Sequence, residues 1–209
     1  MTCRRMRDET LPVLFRSCLV AATKPINAER FLPQSLWPYV YSLCLEDHRP
    51  AAMRLPEKRR KLRFANDRLL CGIMDPMFLK ATLPSMPFLQ SVKLAVYCRE
   101  IHGIGWDTLA VILSTPQLRS FTLQAYPFSP QQCPAVTDVD CLTPITTFRY
   151  AQPAIFRELR QYPTQKAALS VVIAKLRHTL ETLLLPLEVA PFEALAEHQW
   201  STTRSSYSR

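Results

Sequence analysis

Glycine is nearly missing from this chain, with 3 in 209 residues where average usage would supply roughly 15. Close approach of backbone to a phosphate needs a residue without a Cβ, so functions built on a glycine-rich phosphate cradle are poorly served. No GxGxxG or GxxxxGK[ST] motif is present, and the only close pair, Gly103 and Gly105, is too little for either. Paired cysteines are missing as well. Cys3, Cys18, Cys44, Cys71, Cys98, Cys133 and Cys141 are scattered without a CxxC, which reads as reduced, mostly buried thiols of an intracellular protein. The four histidines lie far apart, and only Cys98 and His102 stand at i, i+4, short of the clustered ligands a metal demands. No metal and no cofactor are expected. The acid–histidine neighbours Asp47-His48 and Glu197-His198 come with no nucleophile motif such as GxSxG, so the chain reads as a non-enzyme with no catalytic residue. Arg16 interrupts the apolar stretch 11–22, which argues against a secretory signal. No run approaches the roughly 18 apolar residues of a membrane span. The expected setting is intracellular, in cytoplasm or nucleus, with no membrane partner.

Apolar content is 48% and charged content 21%, enough for a folded domain of ordinary size without disulfide staples. Net charge is +9, and it is uneven: residues 1–63 carry +7 and residues 64–209 only +2. The densest basic stretch is Arg54, Lys58, Arg59, Arg60, Lys61 and Arg63. It reads first as a solvated loop between two elements, and otherwise as a nuclear address or a phosphate-binding patch, the last making the chain a basic nucleic-acid-associated protein. A nucleic-acid surface would add interleaved aromatics for stacking, and only Phe64 is near.

The 18 prolines have a purpose. An apolar signature φxxφxφ recurs, closely following a proline in four of five cases: Val40, Leu43, Leu45; Leu89, Val92, Leu94; Leu118, Phe121, Leu123; Ile145, Phe148, Tyr150; and Leu180, Leu183, Leu185. The last two members of each set alternate as a short half-buried strand requires. Between sets lie 49, 29, 27 and 35 residues. Three of these fall within or just above the range of roughly 20–29 residues typical of leucine-rich repeats. The longest gap has room for a degenerate repeat near residues 62–70. An ordinary α/β sheet of unrelated strands is the competing reading.

Helices are predicted between the strands. Residues 106–114 place Leu109, Ile112 and Leu113 on one face, with Asp107 set to cap the helix or favour its dipole. Residues 164–179 place Ala168, Leu169, Val172, Ile173 and Leu176 at helical spacing, with Thr164 as N-cap. Residues 191–198 form another short helix. Residues 126–144 hold four prolines and no helical period and read as a long loop. The expected fold is α/β, an irregular leucine-rich-repeat-like solenoid of parallel strands with helices on one side, preceded by a short helical segment. Its parts are a helical segment over 1–35, the repeat domain over 36–200 and a disordered tail over 201–209. The pattern calls for a further strand after residue 200 and none arrives, so a truncated chain with its last strand as an exposed edge is expected.

The segments LPVLFRSCLVAAT (residues 11–23), WPYVYSLCLED (37–47), STPQLRSFTL (114–123) and LRHTLETLLLPLEVAPFEAL (176–195) resemble fungal F-box-like proteins with leucine-rich repeats. The resemblance implies a protein-interaction subunit of a cullin-type ubiquitin ligase. In such a subunit the F-box binds a Skp-type adaptor and the repeats present a concave face to the protein to be ubiquitinated. Here only residues 11–31 match, as the final helix of an F-box, so an F-box remnant is implied, with Leu14, Leu19 and Val20 as adaptor-binding positions and weak or absent adaptor binding. Candidate substrate-face residues, at strand x positions, are Tyr41, Lys93, Thr122 and Arg149. A truncated, non-functional relative of the family is the other possibility the resemblance leaves open.

Overall fold

The computed structural model describes residues 2–24, 26–48, 74–96, 103–124, 126–151 and 163–196. The basic stretch at 54–63, the possible repeat at 62–70, Cys98, His102, Glu197-His198 and the 201–209 tail lie outside the described residues. Six strands, β1 (Ser17–Ala22), β2 (Ser42–Asp47), β3 (Ser91–Val96), β4 (Ser120–Gln124), β5 (Thr147–Ala151) and β6 (Thr182–Leu184), form one sheet in the order β1-β2-β3-β4-β5-β6. All five pairings are parallel. The sheet is thus α/β and built by successive addition of neighbours, as the recurring signature implies.

Proline turns set the register. After Trp37-Pro38, Met86-Pro87 and Thr115-Pro116 the first φ residue donates its N–H to the residue before proline: Val40 to the Trp37 carbonyl at 3.2 Å, Leu89 to Met86 at 3.1 Å and Leu118 to Thr115 at 3.1 Å. Proline's fixed φ suits the second position of such a four-residue turn. The turn delivers Val40, Leu89 and Leu118 into full burial. The remaining φ residues then fall into two straight rows. Cys18, Leu43, Val92, Phe121, Phe148 and Leu183 are partners in register, and so are Val20, Leu45, Leu94, Leu123 and Tyr150. Every member except the half-buried Leu183 is buried. Leu185, the last predicted strand residue, lies just past the end of β6 and is also half-buried.

A further repeated bond locks each strand to the next. The carbonyl just ahead of one strand accepts two successive N–H groups at the start of the following one. Arg16 receives Tyr41 and Ser42, Tyr41 receives Gln90 and Ser91, Gln90 receives Arg119 and Ser120, Arg119 receives Thr146 and Thr147, and Thr146 receives Glu181 and Thr182. Five consecutive copies of one arrangement describe a repeating backbone unit.

Helices α2 (Pro76–Thr82), α3 (Trp106–Leu113) and α4 (Pro163–Leu176) bury Leu79, Leu109, Ile112, Leu113, Leu169, Val172 and Ile173 in the core beneath the φ rows. Each such side chain is worth about 1.5–3 kcal/mol on burial. Asp75 caps α2, its side chain accepting the Met77 N–H at 2.9 Å. Gly105 rather than Asp107 is the N-cap of α3, and Asp107 lies in the first turn, where the dipole favours it. Thr164 is not a cap, because α4 already begins at Pro163 and the Thr164 hydroxyl donates to the Pro130 carbonyl. Helix α4 ends at Leu176, three residues before the expected stop, and the last helix, α5, covers Phe192–Ala196. The 126–144 stretch carries one short 3-10 turn, Val136–Val139. Its first part docks on the chain through an isolated bridge: Ile104 N–H donates to the Pro127 carbonyl at 3.0 Å and Ser129 N–H to the Ile104 carbonyl at 3.1 Å. Gly103 sits beside it at φ +135°, a conformation that L residues rarely adopt.

The amino-terminal expectation needs correction. Residues 11–31 are not one helix: α1 (Thr2–Leu14) ends at Leu14, and Ser17–Ala22 is the first strand of the sheet. Phe15, Cys18 and Val20 carry the φxxφxφ spacing, with cysteine in an apolar place, so this segment has the same pattern as the other strands. Four thiols are described, and they are less buried than expected. Cys18 is buried and Cys44 half-buried, but Cys133 and Cys141 are exposed.

Candidate functional site

Alternation leaves the other face of the sheet open. Among the described residues its side chains form three rows. The first contains only hydroxyls: Ser17, Ser42, Ser91, Ser120, Thr147 and Thr182. The second contains Leu19, Cys44, Lys93, Thr122, Arg149 and Leu184. The third contains Ala21, Glu46, Ala95, Gln124 and Ala151. Only Ala95 among these is buried. Neighbouring strands lie about 4.8 Å apart, so each row sets side chains of adjacent repeats side by side.

The structure brings Lys93, Thr122 and Arg149 together as consecutive members of the second row. Tyr41 is not in it. It stands ahead of β2, its ring under the Arg16 guanidinium at 4.9 Å and its hydroxyl donating to Gln90 Oε1 at 2.8 Å. Arg16, Tyr41 and Gln90 thus define one rim of the face, which Arg119 continues through a bond from its guanidinium to the Pro144 carbonyl at 3.4 Å. The residues singled out for adaptor binding are separated. Leu14 is exposed on α1, Leu19 is exposed on the open face, and Val20 is buried on the opposite face. A strand, unlike the expected helix, sends neighbours 19 and 20 in opposite directions.

Sequence reasoning missed a polar cluster on β2 and the residue that follows it. Cys44, Glu46 and His48 occupy alternate positions, with the Cys44 thiol 3.6 Å from Glu46 Oε1 and His48 Nε2 2.7 Å from Glu46 Oε2. The spacing C-x-E-x-H on a recognised strand was the available signal. Burial, together with the charge and hydrogen bond of Glu46, pushes the thiol up to about 11 against the opposing pull of Lys93. At neutral pH Cys44 is therefore a thiol, not the thiolate that a nucleophile or a metal ligand requires. Among the described residues no group of three or more His, Cys, Asp or Glu side chains is placed to hold a metal ion. None of the described helices is long and apolar enough to cross a membrane. What the face offers is an in-register array: a row of hydroxyls, a second row with Lys93, Thr122 and Arg149 at its centre and leucines at both ends, and a third row of alanines interrupted by Glu46 and Gln124. No protein-family model, curated protein or solved structure matches this chain.

Proposed function

We propose that this chain is a non-enzymatic protein-interaction scaffold. In this reading the sheet belongs to an irregular leucine-rich-repeat-like solenoid, and its open face receives a protein in the manner of the substrate-recognition subunit of a cullin-type ubiquitin ligase. The observation that supports the reading is the five-fold repeat of the strand-start hydrogen bonds together with straight rows of side chains on the open face. A repeat array that stacks in this way exposes one continuous surface whose chemistry is set by the x residues of each unit. Lys93 and Arg149, set one strand apart on either side of Thr122, give that surface a basic centre suited to an acidic partner segment. Leu14 and Leu19 are the exposed apolar positions available to an adaptor, and Val20 serves the core.

The test is co-purification from the native host of the full chain and of Lys93→Glu/Arg149→Glu, both after brief crosslinking. Recovery of a Skp-type adaptor with both forms, and of further proteins lost with the charge-reversed form, supports the reading. Recovery of RNA or histones with both forms, released steeply by salt, overturns it in favour of nucleic-acid association through the 54–63 stretch.

A further inference from the structure

We propose that the two edges of the sheet are complementary and that copies of this chain stack head to tail, β6 of one against β1 of the next. Among the described residues the series of strand-start bonds has two unmatched ends. The carbonyls of Arg16, Tyr41, Gln90, Arg119 and Thr146 each receive two N–H groups from the following strand. Glu181 occupies the sixth place in that series, and Arg16 and Ser17 are the donors that no earlier strand uses. A second copy in the same parallel register would give the Glu181 carbonyl the N–H groups of Arg16 and Ser17, repeating the bond already made five times.

Side chains agree with the backbone. In that register Glu181 of one copy lies beside Arg16 of the other, both exposed and of opposite charge. Leu184, 51% exposed, lies beside Leu19, 58% exposed, and continues the second row across the junction. Exposed apolar side chains occur at both ends, Val13, Leu14 and Leu19 at one and Leu184, Leu187 and Phe192 at the other, besides Met77, Phe88 and Val136 elsewhere. Neither strand carries a proline or lysine, two of the protections of an open edge. Strand β6 is short, at three residues, and Pro186 stands two residues past its end. The junction therefore rests on the strand starts and on the Glu181–Arg16 and Leu184–Leu19 neighbours. Contact of two different surfaces is heterologous, so the stack grows beyond a dimer unless a rotation closes it.

Leu19→Asp and Leu184→Asp alter exposed side chains and each blocks one edge. Folding is checked by circular dichroism and thermal melting. By analytical ultracentrifugation over the micromolar range the wild-type chain is expected to gain mass with concentration past the dimer, and each variant to associate at least tenfold more weakly. An equimolar mixture of the two retains one good β6 edge and one good β1 edge, and is expected to form dimers and nothing larger. Glu181→Arg weakens association, and Arg16→Glu/Glu181→Arg restores it. A wild-type chain that stays monomeric, as it would if its own residues 197–209 covered β6, overturns the proposal. So does assembly that survives both aspartate variants, or a mixture of folded variants that remains monomeric.

Discussion

Gly103→Ala is the sharpest single test of how the 126–130 segment is anchored. An alanine Cβ at this position would lie 2.5 Å from the Pro127 carbonyl oxygen and 2.7 Å from Pro130 Cγ. The first contact is with backbone, so it cannot be relieved by a rotamer change. Two costs add. Holding an L residue at φ +135° strains the backbone by about 1–3 kcal/mol. Moving Pro127 away also stretches the Ile104–Pro127 bond and its companion from Ser129 to Ile104, each worth about 1 kcal/mol. The expected loss is about 3–5 kcal/mol, and each kcal/mol lowers the melting temperature by about 2–4 °C in a chain of this size. Gly105→Ala is the control, because Gly105 has φ −68°, open to any residue, and its change is expected to stay within about 1 kcal/mol. Urea and thermal unfolding followed by circular dichroism measure both. Equal stability of the two variants would refute the argument that the positive φ and the Pro127 contact hold this segment in place.

Leu183→Asp puts a carboxylate on the core side of β6 and is expected to cost about 2–4 kcal/mol, whereas the exposed Thr182→Asp stays within about 0.5 kcal/mol; protease resistance and urea midpoints compare them. Gln165 is buried and donates from Nε2 to the Tyr150 hydroxyl at 2.6 Å, so Gln165→Ala is expected to lose about 1–3 kcal/mol of unfolding free energy. Cys44 is expected to alkylate far more slowly than the exposed Cys133 and Cys141 at pH 8 in the folded chain and at a similar rate in denaturant, as read by peptide mass mapping. Because its folded value is raised, from 9.0 to about 11, its contribution to stability is complete below pH 9 and is lost as pH rises toward 11, a decline that Cys44→Ser should blunt.

Five of the six strands were legible because alternating apolar residues mark them and, for four of the five, a proline stands just ahead. Strand β1 was hidden by its own composition. Cys18 fills a φ place, and Leu19, Val20, Ala21 and Ala22 make a continuous apolar run that cannot be told from a buried helix by period. Had cysteine been counted among the apolar members, Phe15, Cys18 and Val20 would have completed a sixth set. The inward faces of the 106–114 and 164–179 segments were readable from helical spacing, but the N-cap was not. Thr164 has the right chemistry, yet a tertiary acceptor, the Pro130 carbonyl, takes its hydroxyl. The open face was readable only in part. That Lys93, Thr122 and Arg149 point away from the core follows from alternation within each strand. That they stand shoulder to shoulder follows from the successive parallel order that the recurring signature implies, which the sheet has. What alternation did not reveal was the Cys44–Glu46–His48 cluster. Tyr41 falls outside the rows because the register starts at Ser42.

From Ser17 to Ser42 the chain takes 25 residues to return to the sheet, and from Ser42 to Ser91 it takes 49, yet β2 and β3 pair as directly as β1 and β2. The entropy of closing a connection grows with the logarithm of its length, so this near doubling costs about 0.6 kcal/mol. Spacing along the chain therefore has little leverage on which strands pair. The alignment of Cys44 beside Lys93 is set by the register of β2 on β3 and not by the number of residues between them. A change of a few residues in that number is expected to leave the register unaltered.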